Sequence, residues 1–238
     1  MVTKSITQAQ KRVEGYNFDA RKQLLEYDDV LRKQREIMYE QRNYTLEHED
    51  VHDIVKGMFE RVISDTVAAN LDMNRHEDQI NYAGICEGLS MMGMREENRI
   101  KPEEIQGKDR ENVIAYCFDK VYNSYEKEIE PVHDQFLPFE KTAVLRIMDR
   151  NWIEHIDTMS KLRDGIHLRS YAQNNPLQAY VSEGYELFEE LTQRIAREIV
   201  VFLLRMRIVR KTPEQIAAEK AAREKAAREA EKKAEKGE

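Results

Sequence analysis

The run His48-Glu49-Asp50-Val51-His52 holds two imidazoles four residues apart, with a glutamate beside the first. On a single helix that spacing puts both rings on one face, where they could bind zinc with the glutamate as general base. The neighbouring residues speak against it. Asp50 is placed to cap a new helix, so the five residues are expected to straddle an interhelical turn. Val55 and Met58 stand where the extended form of the motif needs a glycine and a third histidine. A more distant glutamate ligand stays open on sequence alone, but the residues read as a solvated turn that holds no metal.

The other reactive groups are plainer. Asp28-Asp29 could share acid–base work, yet they lie among Lys and Arg on a helical stretch and read as a salt-bridged face. Cys86 and Cys117 stand 31 residues apart with no CxxC, which reads as two buried or half-buried thiols. The chain contains no GxxxxGK[ST], GxGxxG or GxSxG. By itself it is not expected to bind or hydrolyse a nucleotide. Trp152, at helical spacing, reads as a core anchor, and His155 beside it as a packed or half-exposed histidine.

The octet His167-Leu168-Arg169-Ser170-Tyr171-Ala172-Gln173-Asn174 differs from these. Leu168 and Tyr171 project from a short connection between helices, with His167, Arg169, Gln173 and Asn174 as donors around them. An aromatic on a loop held by a rigid scaffold is a functional hint. Two readings stay open on the residues alone: contact with an extended chain or partner, and packing of Tyr171 back onto the helices.

The elements that must position these groups are helices. Of 238 residues, 35% are charged and 41% hydrophobic, with nine glycines and five prolines. That is about half the usual share of helix breakers, so an all-α fold with long helices is expected. A net charge of −7 argues against nucleic acid as a partner. No apolar run approaches the ~18 residues of a membrane span, and the N-terminus lacks the apolar core of a signal peptide.

Residues 1–46 read as one long helix with Val13, Phe18, Leu24, Tyr27, Leu31 and Met38 on its apolar positions. Such a rod must pack against several partners or leave much of itself in solvent. Residues 47–135 read as a small helical subdomain: a helix capped by Asp50 through Ala69, a polar joint, a short helix near 80–89, a loop with Gly93, Pro102 and Gly107, and a helix from Asp109. Residues 136–210 read as an antiparallel two-helix hairpin. Its first helix, from Phe139, follows Pro131 and Pro138; its second restarts at Asn175-Pro176, with asparagine as N-cap and proline at the first helical position. Residues 211–238 carry eight basic and seven acidic residues and no aromatic, and read as a solvated tail.

Two stretches resemble the C-terminal part of the SecA family, the bacterial preprotein translocase ATPases. AQKRVEGYNFDARKQLLEYDDVLRKQREIMYEQRN (9–43) resembles that family's scaffold helix, and WIEHIDTMSKLRDGIHLRSYAQNNPLQAY (152–180) its two-helix finger. Residues 47–135 fall where the family has its helical wing. The resemblance implies a piece of a cytoplasmic translocase, bound peripherally at the inner face of the membrane, that pushes unfolded preproteins through the SecYEG channel. It implies ATP and Mg in motor domains preceding this chain, a homodimer as one assembly, and a finger that restrains ATP hydrolysis until preprotein and channel engage. It assigns His167, Leu168, Arg169, Tyr171 and Gln173 to the finger loop that touches preprotein and channel. The family's cysteine-rich zinc tail has no counterpart in residues 211–238. A stand-alone helical adaptor, working by helix-in-groove contact, is the competing reading of the same features.

Overall fold

Helix α1 runs unbroken from Val2 to Glu47, 46 residues and so about 70 Å at 1.5 Å per residue. It belongs to a computed structural model that describes residues 2–72, 79–169 and 175–208. The apolar positions of α1 divide at Tyr27. Val13 is 59% exposed and Leu24 57%, whereas Tyr27 and Met38 are buried at 4% and 3%. The far half of the stripe is left open, as a rod of this length requires.

The lobe that follows is built on α2 (His52–Ala68), α3 (Tyr82–Met91), the single turn α4 (Pro102–Ile105) and α5 (Arg110–Ile129). Its core packs Val55, Phe59 and Ile63 of α2 with Ile85 and Leu89 of α3, Ile105, and Val113 and Val121 of α5. Asp109 caps α5 as expected, its side chain accepting from the Asn112 N–H at 3.0 Å. Asp50 does not cap α2. It accepts from the His52 N–H at 2.8 Å from one position further out, and Val51, buried at 1%, occupies the cap. Burial of the valine sets that boundary.

The ends of the polar joint form a small antiparallel ladder, Leu71–Asp72 (β1) on Gln79–Ile80 (β2), with Leu71 opposite Ile80. The ladder holds Ile80 extended, so α3 begins at Tyr82, two residues later than the sequence suggests. Asn81 caps it through the Gly84 N–H. A Cβ on Gly84 would lie 2.2 Å from Asn70 Oδ1 and 2.6 Å from Asn81 Nδ2, so a larger residue there would have to displace both amides.

The hairpin consists of α6 (His133–Arg169) and α7 (Pro176–Arg205). Pro138 does not precede α6 but lies inside it. A proline at the sixth helical position removes one i→i−4 bond, while the first four N–H groups need no helical partner. The α7 start is as expected, Asn175 Oδ1 accepting from the Leu177 N–H at 3.0 Å. Contacts Ile166–Tyr180, Met159–Gly184 and Arg150–Glu198 show α6 and α7 antiparallel. Asp28–Arg163, Gln34–His155 and Arg42–Asp149 place α1 antiparallel to α6.

Residues 1–205 form one unit and 206–238 a second, of which 206–208 are described. Among the described residues no helix is long and apolar enough to cross a membrane. Trp152, 6% exposed between Tyr39 and His155, anchors the seam of α1 and α6 as its spacing predicts. Trp152→Ala is expected to lower the unfolding free energy by about 3–5 kcal/mol. An unchanged denaturation midpoint would show that the ring carries none of the packing.

Candidate functional site

The connection between α6 and α7 is framed by the helices on either side of it. His167, Leu168 and Arg169 fall in the last turn of α6, but their side chains, like Tyr171 and Gln173 altogether, lie outside the described residues. What the structure supplies is the seat that holds the loop's two ends. Ile166, 1% exposed, and Tyr180, 2% exposed, flank the connection and close on Tyr27 and Met159. The Tyr27 and Tyr180 rings meet at 5.0 Å between centroids, tilted by 58°. Burial pushes both phenols above their ordinary range, so both are neutral. Leu162 and Leu177 complete the cluster.

Two turns along, the contact turns polar. Gln34 of α1 is buried; its Nε2 donates to the Gly184 carbonyl at 2.8 Å, and its Oε1 lies 2.9 Å from His155 Nε2. Burial, reinforced by the Arg194 charge, pushes His155 down to about 4, so the ring is neutral. Asn151, also buried, is satisfied by the Ile147 carbonyl, Glu198 and Arg194. Arg42 closes the row with a bidentate pair to Asp149 at 2.7 and 3.2 Å. At the root, Lys141 Nζ donates to the carbonyls of Leu46 and His48, both at 2.8 Å, and so terminates α1.

The root also holds the buried ionic cluster. His52 of α2 sits between two carboxylates, Nε2 at 2.6 Å from Glu126 of α5 and Nδ1 at 3.3 Å from Glu140 of α6. The Tyr125 hydroxyl donates to Glu140, and the Tyr122 hydroxyl lies 2.8 Å from His52 Nε2. Glu140 is fully buried. Its hydrogen bond to His52, against the opposing effect of burial and with help from Glu126, pushes the imidazole up to about 9. Glu126 is held below its usual range: burial opposes this, but His52 and Tyr122 outweigh it.

The candidate zinc pair is therefore divided. His48 follows the end of α1, stacks on Tyr44 at 3.9 Å and bonds the Tyr44 carbonyl, while His52 opens α2 and faces the two glutamates. The two rings do not share a helix face. Asp28 and Asp29 pair with Arg163 and Arg32, as a salt-bridged face. Both cysteines are buried. Sequence reasoning passed over Gln34, Glu126 and Glu140. The available signal was position: Gln34 falls on the α1 stripe between Leu31 and Met38, and Glu140 lies four residues before Val144 on the α6 stripe.

The described residues thus form a long helix, a helical lobe at one end of it and a two-helix hairpin seated along it. A family model for the SecA wing and scaffold domain matches residues 1–207, and the chain belongs to that family. It is a component of a SecA-type translocase, a family that works with the Sec machinery and with preproteins.

Because the folded value of His52 lies above the ordinary 6.5, its stabilising contribution is complete below about 6.5 and is lost as pH rises through about 9. The wild-type chain is expected to lose on the order of 2–3 kcal/mol more than His52→Gln across that window. Parallel pH profiles from denaturant melts of the two proteins would show the cluster to be uncharged.

Proposed function

We propose that the finger loop meets the moving preprotein at the cytoplasmic mouth of the SecYEG channel, while α1 ties the hairpin to ATP-hydrolysing motor domains of the translocase. The observation that carries this reading is the seat: Ile166 and Tyr180 are buried against α1 on either side of the connection. A short loop anchored at both ends on a helix pair some 45–55 Å long is a stiff probe, and an aromatic at its end can grip an extended chain without reading its sequence. Tyr171 takes that role, with His167, Leu168, Arg169 and Gln173 supplying backbone and channel contacts around it.

ATP and Mg belong in this reading to the motor domains. The chain has no GxxxxGK[ST] motif of its own, which supports assigning the nucleotide to those domains. No step of hydrolysis runs through its side chains. Its part is to bind, to orient and to restrain: the seat holds the loop's reach constant while the motor supplies force. The assembly works peripherally at the inner face of the membrane.

A photo-crosslinker placed at position 171 of the assembled translocase, with a preprotein stalled in SecYEG membranes, is expected to capture the preprotein in an ATP-dependent way. Crosslinks confined to the translocase itself would return the hairpin to a structural part. Tyr171→Ala is expected to slow preprotein movement at least several-fold and leave the melting temperature within a degree or two, since this reading assigns the ring to the preprotein and not to the hairpin core. A large fall in melting temperature would contradict that placement.

A further inference from the structure

Apolar stripes choose which face of a helix is buried but discriminate poorly along its axis. On α1 the inward stripe runs Tyr27, Leu31, Gln34, Met38, and on α6 it runs His155, Met159, Leu162, Ile166, all buried except the half-buried Leu31 and Leu162. A slip of one turn, about 5.4 Å, sets similar side chains opposite one another again. The ion pairs along the seam resist such a slip weakly: Arg42 and Asp149 are 36% and 45% exposed, Asp28 and Arg163 59% and 43%. Pairs this wet contribute roughly 0–1 kcal/mol and can find new partners.

Gln34 is different in kind. One buried amide addresses both hairpin helices at once, donating to the Gly184 carbonyl of α7 and accepting from His155 of α6. Its orientation is determined by the partners. A carbonyl only accepts, so Nε2 must face Gly184; Oε1 then faces His155, whose proton must sit on Nε2. Gly184 makes the approach feasible, because a Cβ there would lie 2.9 Å from Met159 Cε and 3.5 Å from Val30 Cγ1. With α1 slipped one turn toward the loop, the amide would face Met159 and the imidazole N–H Met38, with no partner, and with the opposite slip the imidazole N–H would face Leu31, at about 1–3 kcal/mol for each stranded group.

We infer that Gln34, His155 and the Gly184 carbonyl form a register pin that fixes the axial position of the hairpin on α1 and hence how far its loop reaches. They are positioning groups. The inference rests on the proposed function only for what that reach serves; the pin itself is a property of the chain alone.

Nitroxides attached through Lys22→Cys and Glu186→Cys, both exposed positions, report the offset of α7 along α1 by pulsed EPR in the full chain. Cys86 and Cys117 are buried, burial pushing the Cys117 thiol up to about 12, and stay unlabelled. The parent chain gives one distance population. Gln34→Leu with His155→Leu fills the seam without polar groups and is expected to fold, yet to show a second population displaced by about 5 Å, one turn of helix. His155→Gln, whose amide can donate to Gln34 again, is expected to keep the single population. A single population at the parent distance in the leucine pair overturns the inference. Should that pair fail to fold, Gln34→Met with His155→Met fills the space more adaptably, and the same two outcomes decide. Crosslinking from position 171 tests the functional reading separately: its failure with the register intact would remove the proposed contact and leave the pin standing.

Discussion

The hairpin depends on α1 changing character at Tyr27. Two antiparallel amphipathic helices cover one another along a single line, and the apolar groove between them needs a third helix to close it. From Tyr27 to Thr45, α1 supplies that closure: Tyr27, Met38 and Thr45 are buried, and Trp152 and Met159 of α6 and Leu191 of α7 are buried with them. Before Tyr27 the same helix carries Val13, Phe18 and Leu24 into solvent. A helix that buries its stripe over only part of its length must be stiffened by the part that is buried. The tyrosine pair at the finger loop and the lysine cap at the root therefore mark the two ends of the rigid segment.

Two histidines show how one residue type is set to opposite uses by its surroundings. His155 lies among Trp152, Phe188 and a neutral amide, with a guanidinium nearby, and desolvation keeps it uncharged. His52 lies between two carboxylates, one of them fully buried, and hydrogen bonding to Glu140 outweighs the same desolvation. Neither could be exchanged for the other. A charge at position 155 would have Arg194 for a neighbour, while a neutral ring at position 52 has one N–H and could donate to only one of the two carboxylates that flank it.

Much of this architecture was legible before any coordinates. Three-four spacing marked the hairpin, Asn175-Pro176 its second helix and Asp109 the start of α5, because these signals are local and uncontested. Pro138 misled because proline is read as a boundary, although a helix tolerates it near its start for one lost hydrogen bond. Asp50 misled because burial of Val51 outweighed the usual cap. The polar groups of the seam were harder. Gln34, Glu140 and Asn151 interrupt apolar stripes, and in a sequence an interruption looks like a defect. Only their partners, 150, 88 and 43 residues away for Gly184, His52 and Arg194, make them the specifying contacts. The finger loop itself was assigned by family resemblance and not by periodicity, since a loop has none.

The two polar junctions also differ in what can disturb them. The one that joins the helical lobe to the hairpin root is ionic and partly wet, with Glu126 37% exposed, so it responds to proton concentration and to salt. At the seam of the hairpin with α1, the Gln34–His155–Gly184 contact is neutral, hydrogen-bonded and dry, while the Arg42–Asp149 and Asp28–Arg163 pairs beside it are ionic and half-exposed. Under the proposed function, a module that holds a loop at a fixed reach gains from that division. The proposed pin is made of groups whose charge state does not change over the physiological range, so a shift of the hairpin along α1 must break the Gln34 hydrogen bonds rather than follow a titration.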